Sequence, residues 1–384
     1  MTGAAPELER PSVDLGAFVD HHCHGLVTED LDRVGFEAMM NEATGPSPLG
    51  TTLFDSMLGL AIRRWCAPVL DLEPHADPDT YLARRRELGA DEVNRRLVTA
   101  AGIDTFLVDT GLTPELLTTP GDLAGLCGGT AREVVRLEAV GAEVLASGAA
   151  PGAFAEQVEQ RLRGSGAVGA KSIAAYRTGL RLPPRRPSDD ELVAALSDVR
   201  PDAAGGYRLA HPTVNAWLAW TAVEVGLPLQ FHVAYGDNDV DLADCDPLCL
   251  TEFLRATEDR GVPVMLLHNY PFHRNAAYLA QVFDHVFMDV GLATHNSGAL
   301  AGALVRESLE LAPFGKVLFS SDAYGLAELY HLGALLFRRG LTALLGGLVA
   351  DGEMSATDAT RLARLVCADN ARRVYGLEPA GATG

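Results

Sequence analysis

Short apolar runs alternate with longer helical patterns along most of the chain, and this alternation restricts the fold more than any other feature of the sequence. The apolar, β-branched runs occupy residues 17–20, 105–109, 134–138, 168–173, 228–232, 263–268, 286–289 and 317–321. Strands that alternate with helices pair in parallel, and eight such units can close into a ring. The sequence therefore predicts an α/β protein, a (β/α)8 TIM barrel, with residues 1–384 in a single domain.

The segment between the first and second predicted strands is far longer than one crossover helix requires. Its residues 53–64 and 78–101 have helical patterns, and it leaves the barrel at the carboxyl end of a strand, the face where barrel active sites form. We therefore expect residues 28–101 to form a helical cap inserted after strand 1. Residues 354–375 are predicted to be helical, residues 182–187 to form a loop, and the tail after about residue 376 to fray.

Charge and cysteine content restrict the partners and the compartment. The formal net charge of -20 would repel nucleic acids and anionic membrane surfaces, so neither is expected as a partner. The six cysteines lack the spacing of a disulfide framework, and Cys245 and Cys249 are interpreted as packing residues because no second metal-binding pair lies near them. With no leader-like pattern in the first eleven residues, we expect a cytoplasmic protein.

Two histidines, His22 and His24, come directly after the first apolar run. In an extended chain alternate side chains point the same way, so both can face the barrel interior and share one metal ion. Two histidines at this spacing also occur often by chance. The alternative is an ordinary strand end at the surface.

Three further strand ends carry side chains that can bind a metal. His232 and His268 end the fifth and sixth predicted strands, and Asp322 follows the eighth. Each has an ordinary alternative, a structural histidine or an aspartate that caps the next helix. Because the carboxyl ends of all barrel strands meet at one face, the five residues together predict a site for one or two divalent ions. Their nitrogen and oxygen ligands favour zinc, with manganese, iron or nickel as alternatives.

This order of ligands along the chain resembles that of the amidohydrolase superfamily. Five further segments are similar to the amidohydrolase domain of nodulin and FluG-type proteins, in which such a domain is often fused to a glutamine-synthetase-like domain: residues 171–180, 236–242, 270–272, 289–292 and 321–328. Residues 293–296 depart from the more apolar, proline-containing turn expected there. This departure suggests that His295 contributes a substrate preference of its own.

The resemblance implies a reaction in which a metal-bound water attacks the substrate. Asp322 would take the proton from that water and pass it to the leaving nitrogen. His268 or His232, whichever is not a ligand, would polarise the scissile carbonyl as the oxyanion forms. These roles are expectations for the catalytic residues of this chain.

Lys171 is one of only two lysines in the sequence, the other being Lys316, whereas all other cationic side chains are arginines. In several amidohydrolases a lysine at the end of strand four is carboxylated and bridges two metals, a reaction that arginine cannot undergo under these conditions. The resemblance therefore implies Lys171 as a ligand and catalytic residue. The alternative, an uncarboxylated Lys171 that binds substrate, remains open.

Side chains after strands four, five and eight are candidates for substrate binding. Tyr176 and Arg177 follow strand four, and the planar guanidinium of Arg177 matches a carboxylate. Glu328 lies at the start of the helix after Asp322, where it either binds substrate or complements the helix dipole. A loop after strand five could hold an ammonium group or carry ordinary solvated charges through Asp237, Asp239 and Asp241.

The function that combines these predictions is hydrolysis of a C–N bond, in particular of a γ-glutamyl amide to glutamate and an amine. The γ-glutamyl part rests on the family's association with glutamine-synthetase-like proteins, with support from Arg177. A decarboxylase or lactonase on the same barrel is the first alternative, and a non-catalytic regulatory barrel is the second. The expected partners are a small-molecule amide, a separately encoded glutamine-synthetase-like ligase and a second copy of the chain in a homo-oligomer.

Overall fold

The computed structural model describes residues 13–43, 45, 49–113 and 115–378. Within these residues, seven parallel strands form one sheet in sequential order, each hydrogen-bonded to the next. The strands are β1 (Phe18–Cys23), β2 (Ile103–Asp109), β3 (Thr130–Arg136), β4 (Gly169–Ser172), β5 (Leu229–Val233), β6 (Val264–His268) and β7 (Val286–Met288). The predicted alternation of strands and helices is thus confirmed.

The predicted eighth strand, residues 317–321, does not form a regular strand. It nevertheless bridges the two ends of the sheet, because Leu318 N donates to Met288 O at 2.9 Å and His21 N donates to Phe319 O at 3.1 Å. Bonds to β7 on one side and to β1 on the other close the sheet into a barrel. The (β/α)8 prediction is confirmed, with an extended segment in the eighth position.

The third strand begins and ends earlier than predicted. The sequence pattern placed it at residues 134–138, whereas β3 spans Thr130–Arg136 and a helix begins at Leu137. The first half of β3 has partly or fully exposed residues, and Thr130 pairs with Thr105 of β2. The sequence pattern missed the first half of β3 because the prediction relied on continuous apolar character and these residues are largely polar.

The helices cover the outside of the barrel and extend its connections. The α-helices are α1 (Arg33–Ala38), α2 (Met57–Ala61), α3 (Pro78–Leu88), α4 (Ala90–Ala101), α5 (Pro120–Gly125), α6 (Leu137–Ala146), α7 (Pro151–Gly164), α8 (Asp189–Leu196), α9 (Pro212–Val225), α10 (Thr251–Thr257), α11 (His273–Val282), α12 (Gly291–Asn296), α13 (Ala301–Ser308), α14 (Ala327–Ala350), α15 (Ala356–Arg364) and α16 (Asn370–Tyr375). The predicted helix at 78–101 divides at Gly89, which has a φ of 79°. A residue with a side chain rarely adopts that conformation.

The barrel interior is filled with apolar side chains, as in a packed core. Residues from several strands meet there, and α16 closes the amino-terminal end: Val19, Leu107, Val134, Met265, Leu267, Phe287, Leu318, Ala371 and Tyr375. The carboxyl-terminal end is instead lined by polar side chains. This polarity directs ligand binding to that end.

The segment between β1 and β2 is helical, as predicted, and contains α1 to α4 together with a π-helical turn at Ile62–Cys66. Residues 38–43 and Leu58 from this segment line a cavity at the barrel mouth. That residues 28–101 act as a cap stays a prediction. The expected fraying after about residue 376 falls mainly on residues 379–384, which lie outside the described part of the chain.

One helix among the described residues, α14, is long and apolar enough to cross a membrane by length and composition. Half of its most apolar window is buried inside the protein. It contacts α4, α12 and α13. Its apolar sequence is therefore largely explained by packing against these helices.

Candidate metal centre

The predicted metal ligands converge at the carboxyl end of the barrel. His22 Nε2 lies 3.1 Å from Asp322 Oδ1, His24 Nε2 lies 3.6 Å from the same oxygen, and His268 Nδ1 lies 3.2 Å from Asp322 Oδ2. Ligand atoms of His22, His268 and Asp322 all lie within 4.8 Å of one another. These residues come from β1, β6 and the end of the extended segment 317–321, which we call the closing segment. The barrel thus brings together side chains that are distant in sequence.

His22 of β1 and His24 directly after it are each oriented by a second partner. His22 Nδ1 contacts Gln230 Oε1 of β5 at 2.9 Å, and His24 Nδ1 contacts the Asp109 carbonyl oxygen at 3.1 Å. Partners of this kind fix the ring orientation of histidine ligands and leave Nε2 for the metal. Both Nε2 atoms face Asp322, as a shared ion would require.

Asp289, at the end of β7, positions residues around the centre through hydrogen bonds. Its Oδ1 accepts from the backbone N of His268 at 2.6 Å, and its Oδ2 contacts His21 Nε2 at 2.7 Å and accepts from Ser320 Oγ at 2.9 Å. The carboxylate therefore links β6, β1 and the closing segment. Asp289 lies in one of the segments that resemble the family, but the sequence did not predict its positioning role.

Several non-glycine residues at strand ends have left-handed backbone conformations. Ala234, His268, Asn269 and Asp322 have φ values of 63°, 69°, 58° and 50°. Such conformations cost on the order of 1–3 kcal/mol each and persist where surrounding contacts hold them. Here they aim the His268 and Asp322 side chains toward each other, which indicates that the ligand geometry is maintained against local backbone preference.

The donor set fits a divalent cation. His232 Nε2 and His268 Nδ1 are buried and, within the described residues, have no hydrogen-bond partner. Burial lowers the pKa of His232 and of His268 well below its usual range, which favours the neutral imidazole. Neutral imidazoles with a free nitrogen beside a carboxylate are typical ligands of zinc and similar ions.

Electrostatics in the centre favour an ionised Asp322 and a less basic Lys171. Burial alone would raise the pKa of Asp322, but His268, His22 and His24 outweigh it and hold that pKa well below the usual range. Burial lowers the pKa of Lys171 to about 8, against the opposing effect of Asp109 and Asp322. Lys171 Nζ lies 3.1 Å from His22 Nε2, so the lysine borders the centre as predicted.

A second group of potential ligands consists of His22, His24 and Asp109. Asp109 is already paired with Arg136, whose Nη2 donates to Asp109 Oδ2 at 2.7 Å. Burial would raise the pKa of Asp109, but Arg136 and then His24 keep it below its usual range. The paired carboxylate fits a metal less well than Asp322, which has no guanidinium neighbour among its described contacts.

The centre opens into a cavity of about 450 Å³. Three of the predicted substrate-binding residues line it: Tyr176, Arg177 and Asp237. Arg177 has no carboxylate within ion-pair distance among the described residues, and burial followed by repulsion from Arg208 lowers its pKa. Arg208 also lines the cavity and donates to the Tyr176 carbonyl at 3.3 Å. The two guanidiniums form a cationic wall with unused capacity for an anion.

Acidic side chains also lie at the cavity. Asp237 lines it without an ion-pair partner among the described residues, whereas Asp239 pairs with Arg208 at 2.9 Å. Asp241 instead caps a short 3-10 helix and does not line the cavity. Glu42 also lines the cavity, and burial together with Asp322 and Asp237 raises its pKa to about 7. Unpaired cationic and acidic groups thus occur close together.

The structure places Glu328 away from the cavity lining. Its Oε1 accepts from Tyr81 OH at 2.7 Å and from Arg85 Nε at 2.7 Å, and its side chain is fully buried. These contacts connect α14 to α3 of the inserted segment. They correspond more closely to the structural alternative than to substrate binding.

The other wall of the cavity includes Leu58, Leu292, Leu329 and His295. His295 is 2% exposed, and neither of its ring nitrogens has a hydrogen-bond partner among the described residues. Burial lowers the pKa of His295 to about 4, with partial opposition from Asp322 and a backbone contact with Ser321. A neutral, unpaired histidine therefore borders the mouth of the barrel.

Comparison with known proteins identifies the family. A model of the amidohydrolase family matches residues 123–377, well over half of the chain. The protein fluG of Emericella nidulans is 26% identical over 96% of this chain. The chain spans 46% of the length of that relative.

Solved structures show the same fold. A protein from Lactobacillus casei assigned as a metal-dependent hydrolase superposes with a TM-score of 0.80 and 28% identity, covering 95% of this chain and 96% of its own. Glucuronate isomerase from Caulobacter crescentus has a TM-score of 0.61 and 16% identity, over 94% of this chain and 92% of its own, and is similar in fold alone. The family match and the converging ligands confirm the resemblance found in the sequence, and the chain belongs to the amidohydrolase family.

Proposed function

We propose that the protein hydrolyses a γ-glutamyl amide to glutamate and an amine at a divalent metal held by His22, His24, His232 or His268, and Asp322. One observation carries this proposal: a single cavity combines the candidate ligands with unpaired guanidinium and carboxylate groups. A γ-glutamyl group has a carboxylate and an ammonium at one end and an amide carbonyl at the other. The cavity offers complementary groups for each.

The cationic wall would bind the α-carboxylate of the substrate. Arg177 has no carboxylate partner among the described residues and shares the Tyr176 carbonyl as an acceptor with Arg208. A bound carboxylate would relieve the repulsion between the two guanidiniums. A planar guanidinium can hold both carboxylate oxygens in one orientation.

The α-ammonium group would lie between Asp237 and Glu42. Both side chains line the cavity, and each raises the energy of the other's charge, as the raised pKa of Glu42 indicates. A cation between them would stabilise both ionised carboxylates. The ring of Tyr176, which packs against His232 at a tilt with a centroid distance of 4.2 Å, would separate this head group from the metal centre.

The catalytic step needs a nucleophile, a proton acceptor and a proton donor. A divalent ion, when bound, lowers the pKa of a water ligand toward neutrality. Asp322, ionised by its histidine neighbours, would accept a proton from the attacking water. The water oxygen would add to the carbon of the amide carbonyl. The C–N bond would then break, and Asp322 would return the proton to the leaving nitrogen. Lys171 borders the same atoms and can stabilise negative charge there.

The test is mass-spectrometric detection of glutamate release from a panel of γ-glutamyl amides by metal-loaded protein. We expect release by the wild type and none by Asp322→Asn. We also expect Arg177→Met to raise KM more than it lowers kcat, since it removes a contact to the non-reacting end. If no amide in the panel is cleaved, the γ-glutamyl assignment fails, and lactones and carboxylated substrates become the next panel.

A further inference from the structure

His295 is a buried histidine of the cavity wall that the proposed hydrolysis does not use. It is 2% exposed and lies in the last turn of α12. Neither ring nitrogen makes a hydrogen bond of normal geometry to the described residues, although the ring approaches the Ser321 backbone and the residue lines the cavity. Buried polar groups in native proteins are nearly always paired. Two unpaired nitrogens beside a ligand cavity therefore indicate that the partner arrives with the ligand.

The position of His295 in the barrel separates it from the cationic wall formed by Arg177 and Arg208. Strands follow one another around the barrel in sequence order, so the loops after β4 and β5 lie across the mouth from the closing segment and β1. Arg177 lies in the loop after β4, and Asp237 lies in the loop after β5. His295 follows β7, and α12 packs against α2 from the segment after β1. A substrate whose α-carboxylate end lies on the cationic wall would direct its amine half toward His295.

The surroundings of His295 are mainly apolar. Leu292 of the same helix, Leu329 of α14 and Leu58 of α2 line the cavity on this side. A second ammonium group of the substrate would lose its hydration here, and the cavity carboxylates are already assigned: Asp322 to the metal centre, and Glu42 and Asp237 to the α-ammonium group. Burying such a charge without a partner is strongly unfavourable. An uncharged group that can hydrogen-bond would fit both the leucines and the histidine.

We propose that His295 is a specificity-determining residue that hydrogen-bonds an uncharged polar group on the amine half of the substrate. The leaving amine is accordingly a mainly apolar molecule with a neutral group such as a hydroxyl, and it carries no second ammonium. A neutral imidazole has one donor nitrogen and one acceptor nitrogen, and a hydroxyl group can pair with either of them. This inference rests on the proposed γ-glutamyl function and extends it to the amine half.

The test compares three γ-glutamyl amides of equal size, made from hexylamine, 5-aminopentanol and cadaverine, which end in a methyl, a hydroxyl and an ammonium group. For the metal-loaded wild type we expect the hydroxyl amide to have the highest kcat/KM and the ammonium amide to be at least about tenfold poorer. His295→Phe should raise KM for the hydroxyl amide about tenfold with little change in kcat or in the methyl amide. His295→Gln, which keeps a donor and an acceptor, should restore much of the loss.

His285→Phe is the matched control. His285 is also buried, its pKa is lowered to about 4 by burial, and it precedes β7 at the opposite end of the barrel. This variant should change stability without changing the order of the three substrates. If His295→Phe affects all three amides equally, as a purely structural role would, the inference is overturned.

Failure of the inference can be distinguished from failure of the proposed function. Cleavage of all three amides with the ammonium amide as the best substrate would overturn the inference and leave the γ-glutamyl function intact. If none is cleaved, the function fails, and the calorimetric Kd values of the same amides for the metal-loaded wild type test the inference. Tighter binding of the hydroxyl amide, lost in His295→Phe, would support it, and any other order would overturn it.

Discussion

Asp322 is the residue on which the metal centre depends most, because three histidine side chains converge on its two oxygens. Asp322→Asn keeps the shape but removes the negative charge and the proton acceptor. We expect kcat/KM to fall by about 100- to 10,000-fold, the usual range for loss of a general base. Steady-state kinetics with metal content measured in parallel would check this. Activity within a few-fold of the wild type would exclude Asp322 as the proton acceptor.

Lys171 can be tested separately from Asp322 through metal content. Its Nζ lies 3.1 Å from His22 Nε2, and its side chain is 2% exposed. If a carboxylated Lys171 bridges two ions, Lys171→Ala should halve the bound metal measured by plasma mass spectrometry. Lys171→Arg is the control, since it keeps the positive charge but cannot be carboxylated, and it should show the same loss. Unchanged metal content in both variants would leave Lys171 as a substrate-binding residue.

The sequence predicted the candidate ligands better than the residues around them. His22, His24, His232, His268 and Asp322 could be identified because each follows an apolar run, and barrel topology places all such ends at one face. Arg208 and Glu42 gave no such signal, since they lie in long connections whose path depends on tertiary packing. Gln230 and Asp109 lie within or at the end of strands, so polar residues in apolar runs could have pointed to them.

At the scale of elements, a buried ion pair attaches the inserted segment to the barrel. Arg85 of α3 and Glu328 of α14 are 2.7 Å apart, and their side chains are 7% and 0% exposed. Arg85→Met would leave Glu328 buried without its cation, so we expect a loss of about 3–5 kcal/mol in the free energy of unfolding. Urea unfolding would measure this loss.

Three further variants separate a structural role from a functional one. Arg95→Met breaks the pair between Arg95 and Glu92, whose side chains are 52% and 33% exposed, and should leave the free energy of unfolding nearly unchanged. Arg85→Met combined with Glu328→Gln should recover part of the stability, because no unpaired charge remains. If Glu328→Gln instead lowers kcat/KM while stability is unchanged, the predicted substrate-binding role of Glu328 gains support.

The loop after β5 depends on a glycine that keeps the cavity side chains in place. A Cβ at position 236 would lie 2.2 Å from Tyr176 OH and 2.8 Å from His232 Nε2. Gly236→Ala should therefore displace both side chains and lower kcat/KM by about tenfold or more, since small misplacements near the reacting atoms are costly. Gly347→Ala on α14, where a Cβ meets nothing within 4 Å, is the control. Equal kinetics in the two variants would argue against this positioning.

At the scale of the whole molecule, a bound metal should link strands of the barrel to the closing segment. The candidate ligands come from β1, β5 and β6 and from the end of the closing segment, which lacks regular strand pairing. An ion that binds only the folded state stabilises it by RT ln(1 + [L]/Kd), about 2.7 kcal/mol at a free concentration one hundred times Kd. Metal removal should therefore destabilise the closed barrel as well as stop catalysis.

Thermal unfolding before and after chelation tests this coupling. We expect Tm to fall by several degrees on metal removal and to recover when zinc is restored, with manganese, iron and nickel compared in the same way. Asp322→Asn should show a smaller shift, because its weaker site gains less from the ion at a given concentration. An identical Tm with and without chelator would mean that the ion binds a barrel already closed by its hydrogen bonds, or that the ligands hold no ion. Metal analysis of the same samples distinguishes these two cases.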